Sequence, residues 1–143
     1  MEEENEWMPQ FEKCPDSRLS GRALLVEDDW DNQRLLAAHL ESWGIEVVIA
    51  GNGQIAVDLA TQSQFDVILM DMDMPVMGGY AASTELRRRG CQTAIVVLTA
   101  FAKSKDPEEH IAAGCTDYLC KPVDQAVLRK IVAKYLKRLA PSF

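Results

Sequence analysis

Phe65-Asp66-Val67-Ile68-Leu69-Met70-Asp71-Met72-Asp73-Met74-Pro75 decides the fold. A short apolar run stops abruptly at a carboxylate. Such a run, bounded by turn signals, reads as a central strand of a parallel sheet over 67–70, buried on both faces. Asp71 then stands at the carboxyl end of that strand, the edge where open α/β sheets bind ligands. Ala23-Leu24-Leu25-Val26 has the same grammar and runs straight into Glu27-Asp28-Asp29. Two strands that end in acids gather three or more carboxylates at one crevice. Like charges so close repel unless a cation joins them. An all-oxygen ligand set suits a hard divalent ion such as magnesium.

Outward from these two runs the pattern alternates. Further strands are expected over Glu46–Ala50, 94–98 and 117–119. Amphipathic stretches separate them. A helix over 31–43 closes at Gly44, one over 54–62 follows the Gly51-Asn52-Gly53 turn, and one over 80–89 ends at Gly90. Another over 107–113 opens on Pro107, suited to a first helical turn, and ends at Gly114. The last starts from Asp124 as N-cap. Leu128, Ile131, Val132, Tyr135, Leu136 and Leu139 form its buried stripe, while Arg129, Lys130, Lys134, Lys137 and Arg138 occupy a solvated side. Five β-α units predict a doubly wound parallel sheet with helices on both faces.

The 143 residues suffice for one domain with a real core. Residues 1–20 hold six acids, two bases and two prolines with little periodicity, which reads as a tail or linker ahead of a domain over 21–143. Trp30 and Trp43 flank the first helix and are expected to pack or to line the crevice rim, and His39 and His110 to be structural or exposed. A net charge of −7 argues against direct nucleic-acid binding. No apolar stretch approaches the roughly 18 residues that span a bilayer. The acidic start, Glu2 to Glu6, is the reverse of a secretory signal, so a cytoplasmic location is expected. Cys14, Cys91, Cys115 and Cys120 form no close pair and read as free thiols.

The fourth strand runs into Thr99-Ala100 and the fifth into Lys121-Pro122. A hydroxyl and an ammonium thus reach the edge that carries the acids. Carboxylates alone would hold a metal. With a hydroxyl donor, a small residue whose backbone N–H is accessible, and a lysine, the set suits a phosphoryl group. Pro122 is open to either isomer.

Glu27-Asp28, Asp71 with Met74-Pro75, Thr99-Ala100 and Lys121-Pro122, each at a strand end and in this order, resemble the signature of receiver domains of two-component signalling, the response regulator family. The resemblance covers about residues 22–139. Pro75-Val76-Met77-Gly78-Gly79-Tyr80 and Ala112-Ala113-Gly114-Cys115-Thr116-Asp117-Tyr118-Leu119 are closest to receivers of hybrid histidine kinases. The resemblance implies a flavodoxin-like α/β fold with five parallel strands in the order 2-1-3-4-5. It implies that Asp71 accepts a phosphoryl group from the phosphohistidine of a histidine kinase or a histidine phosphotransfer protein. Asp28 and Asp71, with the backbone carbonyl of Asp73, would bind Mg²⁺ or Mn²⁺, and Glu27 would act through water. Thr99 and Lys121 would meet the phosphoryl group, aided by the backbone N–H groups of Met72 and Ala100. Thr99 and Tyr118 would form the switch that moves the surface of the fourth helix, fifth strand and fifth helix. Beyond self-phosphorylation and self-dephosphorylation no enzyme activity is expected. Weak homodimerisation stays open.

Asp73 adds a carboxylate where the family varies. It either tunes metal affinity and water attack, or faces solvent while only its backbone matters. Asp71-Met72-Asp73 also matches the D-x-D of haloacid-dehalogenase-type phosphatases, an alternative that leaves Glu27-Asp28 unexplained. A receiver-like module that takes no phosphate is a third class, and the full acid set with Thr99 and Lys121 argues against it.

Overall fold

The computed structural model describes residues 19–72, 77–99 and 114–136. The expected helix over 107–113 and most of the tail lie outside the described residues, as do Cys14, Asp73, Ala100, His110, Lys137, Arg138 and Leu139. The strands are β1 (Arg22–Val26), β2 (Glu46–Ala50), β3 (Val67–Asp71), β4 (Ala94–Thr99) and β5 (Asp117–Cys120). They form one sheet in the order β2-β1-β3-β4-β5, every pairing parallel. The helices among the described residues are α1 (Trp30–Ser42), α2 (Gly53–Gln62), α3 (Gly79–Arg88) and α4 (Gln125–Leu136).

The two-residue period of each strand sorts the core into two layers. Ala23, Leu25, Val67, Leu69, Val96, Leu98 and Leu119 pack with Leu36 and Leu40 of α1 and Leu128, Val132 and Leu136 of α4. Leu24, Val26, Ile68, Met70, Ile95 and Val97 pack with Ala56 and Val57 of α2 and Ala82 and Leu86 of α3. Helices therefore cover both faces, and every residue of β3 is buried. Each fully buried Leu or Ile contributes on the order of 2 kcal/mol of transfer free energy, which favours burying such a strand over leaving it at an edge.

Helix ends follow local chemistry. Asp29 caps α1 by accepting from the Asn32 N–H, and Asn52 caps α2 by accepting from the Ile55 N–H. These caps start both helices one residue earlier than periodicity suggests. Asp124 caps α4 through the Ala126 and Val127 N–H groups at 2.8 and 3.1 Å. Gly44, just past α1, takes φ 98°, the left-handed conformation that ends a helix. β3, β4 and β5 each run one residue further than their apolar runs, because Asp71 is in register with Leu98 and Thr99 with Cys120.

One expectation is corrected. Arg129 does not belong to the solvated side of α4. It is half-buried, with its guanidinium 5.4 Å above the Trp43 ring. Trp43 is buried, and His39 stacks on it at 6.1 Å. Trp43 therefore packs between α1 and α4. Cys91, Cys115 and Cys120 are free thiols, and burial raises the pKa of Cys115.

Candidate functional site

The strand order reverses between β1 and β3, the place where an open α/β sheet leaves a crevice at its carboxyl edge. Val26 lies beside Met70, so Glu27 and Asp71 leave neighbouring strands side by side. Glu27 is 1% exposed and Asp71 2%, whereas Asp28 is exposed. Glu27, Asp28 and Asp71 each bring an oxygen within 4.8 Å of the other two. Lys121 arrives from the end of β5. Its Nζ donates to Asp71 Oδ1 at 2.8 Å and stands 3.9 Å from Glu27 Oε1. The Lys121–Pro122 peptide bond is cis.

Glu27 is held from several sides. Its N–H donates to the Ala50 carbonyl at 3.0 Å. Its own carbonyl accepts from Gln33 Nε2 at 2.6 Å, and Oε2 accepts from the Asp29 N–H at 3.2 Å. Oε1 is buried with no hydrogen-bond donor among the described residues. Burial, and secondly the charge of Asp71, push the Glu27 pKa up to about 7; the Asp29 N–H and Lys121 oppose this. An acid so placed is short of positive charge. The residues therefore fit a hard cation: an orphaned buried oxygen, two neighbouring carboxylates and no soft ligand among them.

Thr99 is buried at the end of β4, and its carbonyl accepts from the Lys121 N–H at 2.8 Å. Val97 is in register with Tyr118, and Thr99 with Cys120. By the strand period, Thr99 and Tyr118 belong to the same face of the sheet. Tyr118 is 38% exposed. The Met72 N–H, one of the expected phosphoryl donors, is held by the Leu98 carbonyl at 3.0 Å. Asp73 and Ala100 lie outside the described residues. Sequence reasoning missed Gln33 and the capping role of Asp29. Only the latter had a local signal, an Asp directly ahead of an amphipathic stretch.

A family model described as the response regulator receiver domain matches residues 23–133. The chain belongs to this family. It is 36% identical over 126 residues to the sensor protein GacS of Pseudomonas syringae pv. syringae, covering 85% of this chain and 14% of GacS. The receiver domain of sensor histidine kinase PA1611 from Pseudomonas aeruginosa PAO1, solved with a magnesium ion in its active site cleft, is 38% identical with a TM-score of 0.77, covering 82% of this chain and 98% of that one. The Ssk1 receiver domain of Saccharomyces cerevisiae, solved with the histidine phosphotransfer protein Ypd1, is 30% identical with a TM-score of 0.81, covering 87% of this chain and 94% of the other. Family membership displaces the dehalogenase-type reading of Asp71 and Asp73. The receiver spans about one-seventh of the sensor kinases it matches first, 14% of each. Among the described residues no helix is long and apolar enough to cross a membrane.

Proposed function

We propose that this receiver takes a phosphoryl group onto Asp71 from a phosphohistidine and thereby relays or switches a signal. The observation that carries this reading is the buried Asp71 carboxylate, flanked by Glu27 and Asp28 and met at 2.8 Å by Lys121. A carboxylate oxygen of Asp71 attacks phosphorus in line with the nitrogen–phosphorus bond. The phosphorus–oxygen bond forms as the nitrogen–phosphorus bond breaks. The electron pair leaves on the imidazole nitrogen, which takes a proton. Lys121, already beside Asp71, meets the incoming anionic oxygens as a point charge. Thr99 supplies a hydroxyl from the next strand. Mg²⁺, or Mn²⁺ in its place, would be held by Asp28 and Asp71 with the backbone carbonyl of Asp73, and by Glu27 through water. Bound there, it would neutralise charge on the acids and on the phosphoryl oxygens. Incubation with Mg²⁺ and acetyl phosphate, read by intact mass, should add one phosphoryl group. An unchanged mass would count against Asp71 as the acceptor.

The donor is a histidine kinase or a histidine phosphotransfer protein. Beside the site, α1 opens on Trp30, 63% exposed, with Arg34 one turn on stacked at 4.6 Å on its ring and Leu35, the next residue, 57% exposed. Exposed aromatic and arginine side chains are frequent anchors of interfaces. Trp30→Ala should slow transfer from a phosphorylated protein donor by about tenfold or more, the equivalent of at least roughly 1.4 kcal/mol. It should leave labelling by acetyl phosphate within about twofold. Equal slowing with both donors would place Trp30 in the chemistry rather than the docking.

The output is a change at Thr99 and Tyr118. A hydroxyl drawn toward the phosphoryl group would vacate space for the tyrosine ring, and phosphate biases this pair of states only by binding them differently. Amide NMR with beryllofluoride should show shifts at Tyr118 and Cys120 in the wild type. In Thr99→Ala these shifts should shrink severalfold while Asp71 still accepts phosphate. Wild-type changes confined to the neighbours of Asp71 would make the domain a relay without a switch.

A further inference from the structure

We infer that Gly53, at the start of α2 and outside the acidic site, positions the backbone that carries Asp71. This rests on Asp71 as the phosphoryl acceptor. A Cβ at Gly53 would collide with the backbone carbonyl oxygen of Met77 and come within 3.0 Å of the Met77 carbonyl carbon and Cβ. Main chain cannot swing aside as the tip of a long side chain can, so the missing Cβ is the seat in which the Met77 carbonyl rests.

The seated segment continues directly to the site. The Gly79 N–H donates to the Met72 carbonyl at 3.2 Å. A Cβ at Gly79 would stand 2.6 Å from the Asp71 carbonyl oxygen, and one at Gly78 3.4 Å from that of Met72. The backbone of 77–79 therefore lies against Asp71 and Met72 on one side and against α2 on the other. Asn52 fixes the α2 side, accepting from the Ile55 N–H at 2.9 Å. A push at Met77 is transmitted through two glycines to the residue that must align with phosphorus. Gly51, two residues earlier, has nothing within 4 Å of its would-be Cβ and serves as a control.

The test measures the rate of Asp71 labelling by acetyl phosphate at fixed Mg²⁺, and Mg²⁺ affinity by titration, in five proteins. These are wild type, Gly53→Ala, Gly51→Ala, Asn52→Ala and Val57→Ala. A displacement on the order of 1 Å can lower a rate by roughly 10²-fold, so Gly53→Ala should fall by about tenfold or more. Gly51→Ala should match wild type. Val57→Ala hollows the core beneath α2 and destabilises the fold, yet should label at the wild-type rate while folded. That contrast separates positioning from stability. Asn52→Ala unseats the start of α2 without adding bulk and should fall severalfold, which keeps the inference open to test should Gly53→Ala not fold. Wild-type rates in Gly53→Ala, or in Asn52→Ala where Gly53→Ala does not fold, would overturn it. So would a Val57→Ala loss equal to that of Gly53→Ala. Failure of the wild type itself to label would instead sink the acceptor assignment.

Discussion

Asp71→Asn should abolish the gain of a phosphoryl group from acetyl phosphate while leaving the domain folded. The amide is close to the carboxylate in shape, so the core around β3 keeps its volume. It removes one negative charge from a cluster in which Glu27, Asp28 and Asp71 offer oxygens within 4.8 Å of one another. Burial still raises the Glu27 pKa, but the second cause, the charge of Asp71, is gone. Lys121 loses its ion pair at 2.8 Å and keeps Glu27 at 3.9 Å. Less repulsion offsets a weaker pair, and stability should move by less than about 2 kcal/mol. The chemistry has no such compensation. An amide oxygen is a poor nucleophile toward phosphorus, and Glu27 does not share the direct Lys121 contact of Asp71, its Oε1 standing 3.9 Å from Nζ against 2.8 Å for Asp71 Oδ1. Intact mass after a timed incubation with Mg²⁺ reads the result. Phosphorylation of Asp71→Asn as readily as wild type would remove Asp71 from the role.

The fold was legible because each buried strand is written as a continuous apolar run and each helix as a periodic one. Val67 to Met70 could not be an amphipathic edge strand, and its length excluded an ordinary helix. The grouping of Glu27, Asp71 and Lys121 was legible for a topological reason: residues following parallel strands must emerge at one edge. What escaped was set by contacts distant in sequence. Arg129 reads as one more exposed cation, and only the packing of α1 against α4 brings the Trp43 ring beneath it. Gln33 reads as a neutral helix residue, yet its amide reaches back to the Glu27 carbonyl at 2.6 Å. Gly53 reads as half of a turn signal, and nothing local reveals that the Met77 carbonyl occupies the place of its Cβ. Strand ends were short by one residue because Asp71 and Thr99 look like the polar starts of loops. Pairing to the neighbouring strand, a non-local effect, keeps both in the sheet.

Magnesium should raise the unfolding midpoint of the unphosphorylated protein, and its removal should stop phosphorylation. Two unit charges within 4.8 Å repel by roughly 3–4 kcal/mol at an effective dielectric constant of about 20. Lys121 relieves part of this at Asp71, but Glu27 Oε1 remains buried with no hydrogen-bond donor among the described residues. A cation that binds only the native cluster adds stability by mass action, about 2.7 kcal/mol at a hundred times its dissociation constant. For a chain of this size that amounts to a rise on the order of 10 °C. Asp28→Ala should lose most of the rise, since Asp28 is the exposed member of the cluster and its removal leaves the core untouched. Chelation should lower the rate of labelling by acetyl phosphate by about 100-fold or more, because several kcal/mol of charge stabilisation is withdrawn from the acids and the phosphoryl oxygens together. Thermal unfolding with millimolar Mg²⁺ and with chelator, in wild type and in Asp28→Ala, gives the comparison. An unchanged wild-type midpoint would mean that the acids do not form a cation site, and phosphoryl transfer would then have to rely on Lys121 and Thr99 alone.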